Sequence, residues 1–537
     1  MRTEIATIHA RLNAGDLDAA VRLAREAYLN DIIDPIVLSL MAHRLEEQGE
    51  FDGALRLLID AVQLDPSDET LHANIGHCFL KMALPNRALD AFNQALLINK
   101  DTARAHYGAG LALFSLGETM GAADALRRAH ELQPLNPEPL GALALVALHN
   151  RQMDLAGFFS DMTLDLDANE PNGVIVRARL LFETKDYDGC IAFLAPHLAG
   201  RTAAPLQRSQ LERISADAYD AQGRFAEAFA HYDRYNLLHH EGFARRYQDP
   251  NLETAVQLCD RLQAYFAAYE GTLTGGEPAP RDDAPREHVF LLGFPRSGTT
   301  LLEQVLATHP DVVALEEKAT LNEAIDTYFM LSNSIEDLVN ASDAELDAAR
   351  AVYWDNVRSE GVDYTGKVFV DKQPSLTLYV PLLKRLFPKA RILFCIRDPR
   401  DVVLSCYRRA FVMNTTIYQF TRLDTLCAYY SRVMALGETY FDRIDMPVYR
   451  HTHEAFVADF DGSLRNMCAF LQITYDPNMR NFVDTALKRD IRTPSAAQVR
   501  AGLNSTGIGY WRNYAEALAP HQAALAPWVK KFGYEPN

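Results

Sequence analysis

No stretch of the 537-residue chain reaches about 18 consecutive apolar residues, so no membrane-spanning helix is expected. The amino terminus carries Glu4 and lacks the apolar core of a secretory leader, and a cytoplasmic location is the expectation. Positive charge is also short. Lys and Arg number 53 against 71 Asp and Glu, a net charge of −18, and no basic cluster is dense enough for a nucleic-acid groove or a membrane-surface helix. The seven cysteines are scattered, odd in number and never paired as C-x-x-C, which argues against a disulfide framework and a zinc site. His451, His453 and Glu454 alternate along one segment, but further ligands at metal spacing are missing, so they read as structural and no metal is expected.

What the chain does have, first, is a period. Small residues recur at Ala20, Ala54, Ala88, Ala122 and Ala156, each 34 after the last, and Cys190 continues the series. Gly15, Gly49 and Gly117 precede such positions by five, whereas Ala83 and Arg151 occupy the equivalent places in other repeats. Gly223 and Ala228 fall four out of register, which implies an insertion near 200–206. This pattern resembles the tetratricopeptide (TPR) family, whose two-helix units need small residues where helices cross closely. The resemblance implies a helical solenoid over residues 1–240 with a face for a peptide or protein partner. Residues 241–286 read as a helical extension ending in a Gly/Pro-rich linker, and 287–537 as a separate domain.

That domain opens with Val289-Phe-Leu-Leu-Gly-Phe-Pro-Arg-Ser-Gly-Thr-Thr300, an apolar run, a tight turn and a helix start. A glycine-bearing loop between strand and helix presents backbone N–H groups and the helix dipole to an anion. The spacing Gly293-x4-Gly298 approaches a nucleotide-triphosphate loop, but no lysine follows Gly298, and the loop's cation is Arg296 instead.

Pro295-Arg-Ser-Gly-Thr-Thr300 resembles the 5′-phosphosulfate loop of the sulfotransferase family, in its tyrosylprotein form. The resemblance covers about the last 250 residues and implies 3′-phosphoadenosine 5′-phosphosulfate (PAPS) as donor, held by Arg296, Ser297, Gly298, Thr299 and Thr300. Glu317 lies 21 residues after Arg296, where that branch has its catalytic base. Asp371-Lys-Gln-Pro374 matches the segment whose lysine, here Lys372, approaches the bridging oxygen of the donor. Lys372 also ends an apparent strand, where open α/β sheets bind ligands. Arg397 and Ser405, eight residues apart, match the pair that grips the 3′-phosphate, while Asp398 and Asp401 have an ordinary role as first-turn carboxylates. Residues 492–500 and 505–514 resemble the family's closing part of the donor site, in which Ser495 matches a serine at the phosphates and Arg500 supplies the basic charge.

The expected architecture is thus an α-helical TPR solenoid followed by an α/β P-loop-like domain with a central parallel sheet. The expected chemistry is sulfuryl transfer from PAPS to an acceptor hydroxyl, with a peptide tyrosine as the first candidate. Glu317 would be the base, with Lys372 and Arg296 stabilising the departing phosphate. His309 is the fallback base, although His309-Pro310 also reads as a helix end. Two alternatives stand beside this reading: a P-loop kinase or NTPase, and a TPR scaffold whose second domain binds nucleotide without turnover.

Overall fold

The computed structural model describes residues 2–200, 205–276, 278–330, 335–489, 491, 493 and 495–536. It divides into two compact units, one ending at Gln222 and the other beginning at Gly223. No helix among the described residues is long and apolar enough to cross a membrane.

The first unit is made of consecutive antiparallel helix pairs, such as Pro35–Glu47 with Phe51–Leu64 and Ala103–Leu116 with Thr119–Leu132. Ala20, Ala54, Ala88, Ala122, Ala156 and Cys190 are all fully buried on the second helix of their pairs. Large side chains fill the gaps that small ones leave. Phe92 packs so closely on its neighbours that a Cβ at Gly76 or Gly108 would lie 2.6 or 2.2 Å from its ring.

The turn inside each pair explains the second part of the repeat. Gly15, Gly49 and Gly117 have positive φ, and at the same 34-residue spacing so do Ala83 (φ 59), Arg151 (φ 58) and Lys185 (φ 63). The turn is therefore kept where the glycine is not. A residue with a Cβ pays about 1–2 kcal/mol for the left-handed conformation, so these three repeats carry strain that the glycine repeats avoid.

The second unit is built on five parallel strands, β1 (Glu287–Gly293), β2 (Val312–Glu316), β3 (Val368–Lys372), β4 (Arg391–Ile396) and β5 (Val448–Thr452), in the order β2-β3-β1-β4-β5. Side chains alternate between faces as the pleat requires. Val289, Leu291, Val370 and Leu393 pack with Leu302, Val305, Phe456 and Leu464 on one face. On the other, His288, Phe290 and Phe369 meet Tyr353, Trp354 and Phe387. The register sets Leu291 beside Lys372 and Gly293 beside Cys395, so β1, β3 and β4 end together. Since β1 lies between β3 and β4, the loops after it diverge from theirs and open a crevice at the carboxyl edge.

Helix Phe225–Tyr247 runs through residue 240 and packs within the second unit: Asn236 Nδ2 donates to the Tyr407 carbonyl at 2.9 Å, and Tyr407 Oη to Asp233 at 2.8 Å. The Gly/Pro-rich segment lies along the same unit, with Arg350 Nη2 donating to Gly276 O at 3.1 Å and the Gly366 N–H to Ala284 O at 3.1 Å.

Glycine at Ala83, Arg151 or Lys185 should relieve the left-handed strain by more than the added chain entropy takes back, a net gain of roughly 0.5–1 kcal/mol each. Urea midpoints of the three variants check this, and a loss of stability at all three contradicts it.

Candidate active site

The loop after β1 is shaped by contacts that exclude side chains. Gly293 has φ 152, and a Cβ there would lie 2.9 Å from the Cys395 carbonyl oxygen. Gly298 has φ 94, and its Cβ would lie 2.7 Å from His453 Nδ1. Thr377 Oγ1 fastens the loop's start, accepting from the Gly293 N–H at 3.1 Å and donating to its carbonyl at 2.9 Å. Helix Thr299–Leu306 begins with Gly298 as N-cap and no side-chain cap, which leaves its first-turn N–H groups for another acceptor. Ser297, Thr299 and Thr300 are buried around that helix start, and Thr300 Oγ1 is 3.1 Å from Thr493 Oγ1.

Two arginines converge here. Arg296, buried and with φ 72, donates from Nε to Ser405 Oγ at 2.9 Å, from Nη2 to Gln498 Oε1 at 2.7 Å, and from Nη1 to Ser495 Oγ. Arg397 follows β4 and donates from Nη1 to the Arg296 carbonyl at 3.2 Å and from Nη2 to the Gly507 carbonyl. Every one of these partners is neutral. Burial, reinforced by Arg409 and Arg397, brings the Arg296 guanidinium down to about 9. Arg397 Nε and His453 Nδ1 are buried without hydrogen-bond partners. Both arginines, Gly298, His453, Ser495 and Gln498 line one cavity of about 70 Å³. A buried cation and a partly buried one, with neutral partners and unused polar atoms, fit an anionic ligand. A nucleotide-sized ligand needs on the order of 300 Å³, more than this cavity holds with Arg296 bonded to Ser495 and Gln498.

The aspartates after Arg397 hold the frame. Asp398 caps helix Pro399–Tyr407 through the Arg400 N–H at 2.9 Å and pairs with the Arg400 guanidinium at 2.8 Å. Asp401 accepts from the Gly509 and Trp511 N–H groups at 2.6 and 2.8 Å, and burial raises its carboxyl to about 6. Asp401 thereby fixes the segment whose Gly507 carbonyl meets Arg397.

At the end of β3, Lys372 is fully buried with its Nζ 2.7 Å from Glu317 Oε1 and 3.5 Å from both Glu303 Oε2 and Glu316 Oε1. Burial opposes its charge, but the three carboxylates outweigh burial and raise it above an ordinary lysine. Glu317, whose side chain is 41% exposed, has φ 42 and donates its N–H to the Lys372 carbonyl at 2.9 Å. A carboxylate that reaches solvent beside a buried ammonium is a proton acceptor next to a stabiliser of developing negative charge.

The structure thus brings together Arg296, Ser297–Thr300, Arg397, Ser405 and Ser495, and separately Glu317 with Lys372. Arg500 points elsewhere: its guanidinium donates to the Ala486 and Arg489 carbonyls at 3.3 and 3.4 Å. Within the same closing segment it is Gln498 that reaches Arg296. Arg492 and Pro494 of that segment lie outside the described residues. His309 has both ring nitrogens engaged, Nε2 with Thr474 O at 2.8 Å and Nδ1 with the Asp311 N–H at 3.1 Å, and so has no free lone pair for base catalysis. Sequence reasoning missed Gln498 and Gly507 and set His453 aside, though all three fall in segments it had singled out. Glu303 and Arg489, an ion pair at 2.9 Å, carried no motif signal.

Residues 288–477 match the sulfotransferase family and residues 45–111 the tetratricopeptide repeat. A protein of Aquifex aeolicus (strain VF5) described as uncharacterized is 25% identical over 260 residues, 47% of this chain and 34% of that one. Protein-tyrosine sulfotransferase 1 of Homo sapiens is 25% identical over 267 residues, 46% of this chain and 70% of that enzyme. A tetratricopeptide repeat protein from Parabacteroides merdae aligns with 44% of this chain and 92% of its own at 16% identity, with a TM-score of 0.36. The chain therefore combines tetratricopeptide repeats with a sulfotransferase domain, and a sulfonate donor is the co-substrate that domain implies.

Burial and the nearby Arg397 lower His453 to about 3. Its folded pKa lies below its unfolded one, near 6.5, so the unfolded chain alone takes up this proton as pH falls between those values, and stability is lost there. The slope is about 1.4 kcal/mol per pH unit. Urea unfolding at pH 7 and pH 5 should show His453→Gln losing about 2 kcal/mol less than the unaltered protein. Equal losses would show that the ring accepts a proton in the folded state.

Proposed function

We propose that the second unit transfers a sulfuryl group from PAPS to an acceptor hydroxyl, with a protein or peptide tyrosine as the acceptor and the repeat face as the surface that engages the peptide or protein. The observation that carries this reading is the single cavity shared by the buried Arg296 and the partly buried Arg397, two guanidiniums whose hydrogen-bond partners are neutral in a strongly acidic chain. The repeats and the likeness to protein-tyrosine sulfotransferases support the choice of acceptor.

In this reading Ser297 to Thr300 and the uncapped helix start hold the 5′-phosphate, Arg296 serves both binding and charge stabilisation, and Arg397 with Ser405 takes the 3′-phosphate. Ser495 closes on the donor once Arg296 has let go of it. The acceptor oxygen attacks sulfur as the bond from sulfur to the bridging oxygen breaks, and the hydroxyl proton passes to the Glu317 carboxylate. The leaving electron pair stays on the phosphate oxygen, which the Lys372 ammonium stabilises. The 2.7 Å bond between Lys372 and Glu317 keeps base and stabiliser adjacent, and Lys372 frees the base's lone pair by turning to the donor.

Titration calorimetry with 3′-phosphoadenosine 5′-phosphate, AMP and ATP tests the assignment. The 3′-phosphorylated nucleotide should bind best, and Arg397→Ala should weaken it about 10- to 100-fold, as expected for lost hydrogen bonds to a charged group. No preference for the 3′-phosphate would refute the reading. Glu317→Ala should leave that affinity within about threefold and lower kcat by 10²- to 10⁴-fold, the usual contribution of a general base. Transfer of labelled sulfate to a tyrosine peptide at the unaltered rate would remove Glu317 from the role.

A further inference from the structure

Glu303 lies on the buried face of helix Thr299–Leu306 and is fully buried. An ionised carboxylate there is costly unless cations compensate it. Two flank it from opposite sides and favour its ionised form, although burial still holds its carboxyl above the ordinary carboxylate range. Lys372 Nζ on β3 is 3.5 Å from Oε2, and Arg489 Nη1 is 2.9 Å from Oε1. Arg489 is itself fixed by a 2.8 Å bond from Nη2 to the Ala314 carbonyl on β2. It shortly precedes Ser495 and Gln498, which bind the Arg296 guanidinium. Glu303 therefore joins the phosphate-loop helix, the catalytic lysine and the closing segment.

The groups around Lys372 are not equivalent. Glu317 is exposed and is needed as the proton acceptor, whereas Glu316 and Glu303 are held inside. Asp371, buried on the other face of β3, is engaged by Tyr353 Oη at 2.9 Å and Thr320 Oγ1 at 3.2 Å. When Lys372 turns from Glu317 toward the donor, the carboxylates that can still keep its charge are Glu303 and Glu316. Glu303 Oε2 and Glu316 Oε1 are both buried with no hydrogen-bond partner, and of the two side chains Glu303 is the one fully shielded from solvent, 0% exposed against 12%. Gln304 Nε2 donates to Glu303 Oε1 at 3.2 Å and holds the carboxylate's orientation.

We propose that Glu303 is a positioning residue that keeps Lys372 protonated and aimed at the leaving phosphate, with Arg489 sharing its charge. The inference rests on the sulfuryl-transfer reading of Lys372. Removing the charge leaves burial opposed by Glu316 and Glu317 alone, and an opposite charge at this range shifts a titration by about one to three units.

The test is Glu303→Gln beside Arg489→Gln, read in two ways. In turnover with PAPS, Glu303→Gln should move the alkaline limb of kcat down by about one to three pH units while the donor KM stays within about threefold. Arg489→Gln should leave the limb in place or move it up, because Glu303 then acts on Lys372 alone. A merely structural role would move both variants the same way. Independently of turnover, the Lys372 Nζ resonance in ¹⁵N-lysine NMR, assigned by its loss in Lys372→Arg, should titrate lower in Glu303→Gln. An unmoved limb and resonance in Glu303→Gln overturn the inference. If that variant does not fold, movement of the limb to lower pH in Arg489→Gln overturns it instead. If the unaltered protein transfers nothing from PAPS yet the resonance shifts, the sulfuryl-transfer reading fails and the link between Glu303 and Lys372 stands.

Discussion

A buried guanidinium without a counter-carboxylate is the constraint on which the second unit turns. Arg296 has hydroxyl and amide partners, Arg397 has carbonyl partners, and both line one cavity in a chain of net charge −18. Carboxylates are plentiful in this protein, yet the nearby ones are used elsewhere: Asp398 on Arg400, Asp401 on the Gly509 and Trp511 amides, Glu454 on the Asp398 amide and Tyr534. Each of them fixes backbone around the arginines, and Asp401, though attracted by the Arg397 charge, spends its hydrogen bonds on the Gly509 and Trp511 amides. The positive potential is left for a ligand that brings its own charge.

The neighbouring cluster has the opposite design. Lys372 is surrounded by three carboxylates within 3.5 Å, so its charge is secured before any donor arrives. One cluster lacks negative charge and the other has it in excess, although Lys372 pairs with Leu291, two positions before Gly293 at the start of the loop. The parallel sheet makes this juxtaposition possible by ending β1, β3 and β4 at one edge. Non-glycine left-handed backbone occurs at both places, at Arg296 and Glu317. Strain of this kind, on the order of 1–3 kcal/mol per residue, persists where surrounding contacts hold a side chain to a task.

Much of this was legible in sequence because it rests on local patterns. The period of 34 survives in buried alanines, since helix crossings tolerate little else, and the strands β1, β3 and β4 show as apolar runs because both faces of the sheet are covered. The intra-repeat turn was less legible, because Ala83, Arg151 and Lys185 adopt the left-handed conformation without the glycine that announces it. In the closing segment, looking for a cation led to Arg500, whereas geometry favours the uncharged Gln498, since Arg296 already supplies the charge and wants an acceptor. The Glu303–Arg489 pair was beyond reach. Nothing local marks a glutamate on an amphipathic helix as the buried partner of an arginine 186 residues away.

The most direct measurement is a crystal structure with 3′-phosphoadenosine 5′-phosphate bound. The account predicts one nucleotide spanning the cleft, its 5′-phosphate on the Ser297–Thr300 amides beside Arg296 and its 3′-phosphate on Arg397 and Ser405, with Arg296 released from Ser495. A nucleotide held at only one of these ends, or bound away from the cleft they share, would contradict it.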